Sequence, residues 1–328
     1  MTGVPEGERS DAEGDDQTRA HGEFRAQVHA KRVDLERQLE ASRAQFDQAQ
    51  ERINARTGRN LLLAILIGIA FGGTLLLSLL VVKELFMLFA AVLAGFASYE
   101  LAVALRHGGY LVPRVPTVLS AVVAVPVAYY GGAAGQLIAV LCASLFVVAW
   151  RLVEQGRASV REGPSRLAPD LAASVFVQGY VTFLAMFTVV LTSAEGGQWW
   201  TLAFIITAVA ADTGAYASGL AFGKHPMAPV ISPKKTWEGF AGGALASLVA
   251  GVLVSTLMLG NTWWFGLVFG AAIFLTATLG DLAESLIKRD LGIKDMSSWL
   301  PGHGGFLDRL DSILPSAAVA FVAFRLFG

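Results

Sequence analysis

The sequence predicts an all-α polytopic membrane protein of about nine transmembrane helices, preceded by a cytoplasmic amphipathic helix. Three observations predict it. The 328 residues are 54% hydrophobic, with a mean hydropathy of +0.56 and only 16% charged, which excludes an ordinary soluble domain. From Leu61 onward, apolar runs approach the roughly 20 residues needed to cross a bilayer. The charges avoid those runs. Residues 1–60 hold 10 of the 25 Lys and Arg and 12 of the 26 Asp and Glu, and the remaining 268 residues keep most of theirs in loops and motifs. The net charge of −1 says nothing by itself, because the charges are so unevenly placed, and no nucleic-acid partner is expected.

Residues 1–16 are acidic and polar, with Gly and Pro, and read as disordered. Residues 17–58 read as one amphipathic helix. Val28, Leu35, Ser42 and Ala49 recur every seven residues, and Leu39, Phe46 and Ile53 form a second seam. This is either a short coiled coil or a solvated extension with a weak stripe. The division is therefore 1–60, a cytoplasmic extension, and 61–328, a transmembrane domain. Nine spans are expected at about 61–82, 85–105, 115–133, 135–153, 170–193, 199–222, 238–259, 262–283 and 312–327. The first apolar stretch begins near Leu61, so no cleavable signal peptide is expected. The single Cys142 permits no intrachain disulfide.

The loops predict orientation. Arg52, Arg56 and Arg59 precede the first span, Arg106 and Arg114 follow the second, and Arg151, Arg157, Arg161 and Arg166 follow the fourth. Lys224, Lys234 and Lys235 follow the sixth, and Lys288, Arg289, Lys294 and Arg309 the eighth. The intervening loops near Gly131, Glu195 and Asn261 carry no Lys or Arg, and the first has only Lys83. The positive-inside rule then places the N-terminus and every motif below on the cytoplasmic face of the cell membrane.

Three clusters carry chemistry. In the first, Asp212, Tyr216 and Gly219 share one helix face at i, i+4 and i+7. Downstream, Ser232-Pro233-Lys234-Lys235-Thr236 reads as a helix start with Ser232 as cap, and such a terminus attracts anions. A plainer reading makes Asp212 a hydrogen-bonding group between helices and the lysines membrane anchors. In the second, Asp281, Glu284, Ser285 and Lys288 form a polar stripe at i, i+3, i+4 and i+7, which should face the interior rather than lipid. An internal ion-pair ladder is the plainer alternative. In the third, Pro301-Gly302-His303-Gly304-Gly305 precedes Asp308-Arg309-Leu310-Asp311. The glycines permit a tight turn, and Asp308 and Asp311 share a face. His303 has no His or Cys partner and is as readily loop packing as a ligand contact. Asp281 and Asp308 can converge on one magnesium ion, which prefers one or two carboxylates plus substrate phosphates. Between Asp281 and Asp311 lie four basic residues and six carboxylates, a mix suited to a magnesium-bound polyphosphate.

Together these residues resemble the CDP-diacylglycerol synthases, also called phosphatidate cytidylyltransferases. That family's signature runs S-x-x-K-R-x4-K-D, then P-x-H-G-G-x-x-D-R-x-D. It is met without departure by Ser285, Lys288, Arg289, Lys294, Asp295, Pro301, His303, Gly304, Gly305, Asp308, Arg309 and Asp311. The resemblance covers about residues 85–328. It implies transfer of CMP from CTP to phosphatidic acid, with magnesium, and room for a second cation. It implies Asp281, Asp308 and Asp311 as metal carboxylates, and Lys288 and Arg289 as catalytic cations. Asp212, Ser232, Lys234 and Lys235 would hold the nucleotide, and Arg309 the lipid phosphate. It also implies a homodimer with a lateral opening to the membrane lipid. A CTP-dependent polyprenol kinase and an anion transporter remain as alternatives. The first lacks the complete His-Gly-Gly pattern, and the second predicts an internal repeat not evident here.

Overall fold

The computed structural model describes residues 61–156, 164–297, 299 and 304–328. The division at residue 60, the disorder expected over 1–16, the amphipathic helix over 17–58 and the turn at His303 lie outside those residues. Apolar runs fold as helices because hydrocarbon offers no partner to a free backbone N–H or C=O. The helices are α1 (Leu61–Leu80), α2 (Lys83–His107), α3 (Arg114–Gly156), α4 (Pro164–Val177), α5 (Leu184–Ser193), α6 (Gly197–Phe222), α7 (Trp237–Leu257), α8 (Trp263–Asp290), α9 (Leu307–Leu310) and α10 (Ile313–Phe327). Among the described residues, seven helical runs are long and apolar enough to cross a membrane. The chain is thus an all-α polytopic membrane protein, with one small β-ribbon.

One of those runs, α3, is not straight. Gly132 sits at φ +59°, ψ −149°, inside the 43-residue element. Only glycine adopts this conformation readily, so the helix breaks there. The arms fold back on each other, and Leu119, Val123 and Val127 line one groove with Ile138, Cys142 and Phe146. Between α4 and α5 the chain widens into a π-helical segment, Gln178–Phe183. Gln178 there donates to Ser120 at 3.0 Å and accepts from Thr182 at 2.9 Å.

Helices α6, α7 and α8 form a tight group. Their seams are glycine and small residues, which let backbones approach where lipid provides no hydrophobic drive. A Cβ on Gly214 would lie 2.5 Å from the Ala246 Cβ and 2.8 Å from the Gly242 carbonyl. Across the α7–α8 seam, the Ser247 hydroxyl donates to the Gly270 carbonyl at 2.9 Å. Trp200, Phe204, Phe265, Phe269 and Ile273 fill the core beside this group. A second core, including Ala97, Leu101, Val177, Val181, Leu307 and Leu314, underlies the C-terminal motif.

Two expectations are overturned. Ser232 does not cap a helix. Pro226–Ala228 (β1) and Ser232–Thr236 (β2) pair antiparallel, with Pro226 opposite Thr236 and Ala228 opposite Ser232. The helix begins only at Trp237, where the Thr236 hydroxyl accepts from the Gly239 N–H at 3.1 Å. A proline biases the residue before it to extended backbone, and Thr236 is a competent cap three residues on. Glu238 fixes the ribbon by accepting from the backbone N–H groups of Lys224 and His225 at 3.1 and 3.2 Å. Arg151 is likewise not a loop charge. It is fully buried and pairs with Asp170 at 2.6 Å. Asp170 also accepts from the Leu111 N–H at 2.8 Å, so one carboxylate ties the end of α3 to α4 and to the α2–α3 loop.

Asp170→Ala leaves the Arg151 guanidinium buried without its ion, which should cost about 3–5 kcal/mol. Thermal unfolding in detergent should show a large fall in midpoint, partly recovered by the Arg151→Met/Asp170→Ala double variant.

Candidate active site

The site is built on the last turns of α8. Residues four apart on a helix face the same way, so Asp281, Ser285 and the Glu284–Lys288 pair project from one side. The polar stripe turns inward as expected: Glu284 and Ser285 are buried. Glu284 sits at 0% exposure, which a carboxylate tolerates only with charge compensation. Lys288 provides it, with Nζ 3.0 Å from Glu284 and 2.8 Å from Asp308. One ammonium thus joins α8 to α9. The ladder read from the spacing is present, and it lies inside the cluster.

Asp308 is heavily engaged. Oδ1 accepts from Lys288, while Oδ2 accepts from the N–H groups of Gly305 at 2.7 Å and Met296 at 3.2 Å. Asp281 pairs with Lys235 of the ribbon at 2.6 Å, and Ser285 reaches its other oxygen at 3.4 Å. Asp212, midway along α6, accepts from the Ser312 hydroxyl at 3.0 Å. Asp311 accepts from the Ser312 N–H at 2.8 Å and lies within electrostatic reach of Asp281, Glu284 and Asp212. Arg309 and Lys235 act electrostatically on Asp212.

The structure therefore brings together Asp212, Lys235, Asp281, Lys288, Asp308, Arg309 and Asp311. Ser232 and Lys234 lie on the ribbon, and Arg289 at the end of α8. On the extended β2, Lys235 is half-buried and Lys234 exposed. Arg289 donates to the carbonyls of Ile231 at 3.2 Å and Ile293 at 3.4 Å, tying α8 to the ribbon. Glu100 was not among the sequence candidates. It is 1% exposed on α2 and accepts from Ser297, Phe306 and Leu307. An acid inside an apolar run was the signal that marks it.

A cavity of about 550 Å³ opens beside the cluster. Phe71, Phe86, Phe89, Leu93, Ile205 and Val209 make its wall apolar, and Asp212, Asp308, Arg309 and Asp311 close one end with charge. The residues suit a hard cation. The oxygen donors are carboxylates, and Oε1 of Glu284 is buried without a hydrogen-bond partner. Among the described residues no three His, Cys, Asp or Glu form a closed ligand set.

The family model described as the cytidylyltransferase family matches residues 62–327. The chain belongs to the cytidylyltransferase family. It is 39% identical over 277 residues to a phosphatidate cytidylyltransferase of Mycobacterium bovis, covering 83% of this chain and 90% of that one. A protein of the same name from Mycobacterium leprae is 38% identical over 279 residues, covering 83% and 89%. Another, from Brucella suis, is 36% identical over 187 residues, covering 57% and 63%. In this cytidylyltransferase the acidic and basic groups come from α6, the ribbon, α8 and α9, so helix packing sets the site geometry.

Gly280 controls that packing. A Cβ there would fall on the Asp311 carbonyl and 2.7 Å from Pro315 Cγ. Gly280→Ala should cost about 1–3 kcal/mol of stability through overpacking. The midpoint of thermal unfolding should drop, whereas Gly131→Ala, with nothing within 4 Å of its Cβ, should leave it unchanged.

Proposed function

We propose that this chain transfers the cytidylyl group of CTP to phosphatidate, forming CDP-diacylglycerol and releasing pyrophosphate in phospholipid biosynthesis. The observation that carries the reading is one cavity with an acyl-compatible wall and a charged end, in a chain of this family. The relatives named phosphatidate cytidylyltransferase support the same acceptor.

A lipid phosphate is ionised at neutral pH, so the attack on the α-phosphorus needs no strong general base. A lipid phosphate oxygen bonds to the α-phosphorus, and the bond from that phosphorus to the β-phosphate oxygen breaks. The protein's task is positioning and charge stabilisation, as in other phosphoryl transfers. Lys288 and Lys235 would hold the triphosphate within the cluster, with Lys234 and Arg289 at its rim. Asp212 and Ser232 would line the nucleotide site, and Arg309 would receive the phosphatidate headgroup. Asp281, Asp308 and Asp311 would hold magnesium, which supplies neutralisation of the triphosphate charge when bound. Asp308 Oδ1 keeps acceptor capacity beyond its bond to Lys288, whereas Oδ2 already accepts from two N–H groups. The family resemblance leaves room for a second cation.

The loop charges support nine crossings, with α1 first and the two arms of α3 counted separately. They also support a cell-membrane location with the N-terminus and the site facing the cytoplasm, where CTP is. The family resemblance supports a homodimer and lipid entry from the bilayer.

Purified protein given phosphatidate, magnesium and α-labelled CTP should yield labelled CDP-lipid. Asp308→Asn should lower kcat by about 10²–10³-fold while the protein stays folded. Label reaching lipid only from γ-labelled CTP would contradict the reading and indicate a kinase. A chelator should abolish turnover and magnesium restore it; turnover unaffected by the chelator would remove the metal from the account.

A further inference from the structure

The mechanism above leaves one buried carboxylate without a role. Glu100 sits on α2, about two hundred residues before the C-terminal motif in sequence, yet its bonds reach into that motif. Oε1 accepts from the Phe306 N–H at 3.0 Å and from the Ser297 hydroxyl at 2.5 Å, and Oε2 accepts from the Leu307 N–H at 2.8 Å. Phe306 and Leu307 open the short α9 turn, whose next residue is Asp308. The residue before them, Gly305, gives its N–H to Asp308 itself. The three successive N–H groups of this turn are therefore divided between Asp308 and Glu100.

The two carboxylates also bridge the same pair of segments. Asp308 takes the Met296 N–H and Glu100 takes the Ser297 hydroxyl, so both bind residues 296–297 to the 305–307 turn. The face of α2 around Glu100 continues the contact. Phe96 stacks on Phe306 at 4.7 Å with an 8° interplanar angle, and Tyr99 stacks on Trp299 at 5.2 Å. The glycine is fitted to this arrangement. A Cβ on Gly305 would lie 2.8 and 2.9 Å from the two Glu100 oxygens, so any larger residue displaces the carboxylate. A buried carboxylate that loses water must be compensated by donors, and these donors belong to the motif backbone.

We infer that Glu100 is a positioning residue for cytidylyl transfer: it clamps the Phe306–Leu307 turn and so fixes Asp308 against Lys288. It touches neither substrate nor metal, and acts through Asp308. The inference rests on the functional reading above. A displacement of about 1 Å in a catalytic group costs on the order of 100-fold in rate, so loss of the clamp should appear in kcat rather than in substrate binding.

The test compares wild type, Glu100→Ala, Glu100→Gln and Gly305→Ala, purified full-length in detergent. Amide exchange is read by mass spectrometry across 304–310, and kcat and KM for CTP are read from CDP-lipid formation. Glu100→Ala should speed exchange across 304–310 and lower kcat by about 10-fold or more, with KM changed less than about threefold. Glu100→Gln keeps the side-chain shape and one oxygen acceptor, so it should fall between Glu100→Ala and wild type. Gly305→Ala retains the acid but displaces it, and should reproduce the kcat loss. Should Glu100→Ala not fold, the other two variants carry the test. Wild-type kcat per folded molecule in Glu100→Gln and Gly305→Ala would overturn the inference. So would unchanged exchange across 304–310, whether or not the wild type turns over. Wild type without CDP-lipid but with exchange that depends on Glu100 would instead sink the functional reading and leave the clamp standing.

Discussion

The structure depends on the compensation of buried charge. Glu284 is fully enclosed, and a carboxylate there is tolerable only because the Lys288 ammonium lies against it. The same ammonium reaches Asp308, so the electrostatic requirement of α8 also fixes where α9 sits. Asp281 makes the analogous link from α8 to the ribbon through Lys235. Each ion pair ends in an element that an apolar core alone would not hold in register. The polar cluster is thus both the cost the bundle bears and the device that positions its short, irregular pieces.

Small residues make the arrangement possible. The close seams among α6, α7 and α8 bring Asp212 and Asp281 to one region, since their backbones approach without intervening side chains. The aromatic core beside Trp200 and the aliphatic core beneath Leu307 then support the cluster from two sides. The cavity is lined by α1, α2, α5, α6 and the charged turn. Its apolar wall suits acyl tails, and its three carboxylates and Arg309 would receive an anionic head together with a bound cation.

Much of this was legible in the sequence. Apolar runs gave the helices, and spacing gave the inward stripe of Asp281, Glu284, Ser285 and Lys288. The eighth run is longer than its hydrophobicity suggests, because the stripe buries its charges and α8 continues to Asp290. The motif residues Asp308, Arg309 and Asp311 were evident from pattern alone. Other features were not. Ser-Pro reads equally well as a helix start or an extended segment, and pairing with Pro226–Ala228 decided it. Arg151 resembled a loop charge because its partner, Asp170, lies nineteen residues on and only tertiary packing joins them. Glu100 was visible as an acid in an apolar run, but its partners are backbone groups, which leave no trace in composition.

The central claim is that a lipid phosphate oxygen attacks the α-phosphorus of CTP in this site. The most direct test uses phosphatidate carrying ¹⁸O in its non-bridging phosphate oxygens, with the products resolved by mass spectrometry. The account predicts that all of the heavy oxygen stays in the CDP-lipid, one atom now bridging the two phosphorus atoms, and that the pyrophosphate carries none. Heavy oxygen in the pyrophosphate, or a lipid pyrophosphate as the labelled product, would contradict it.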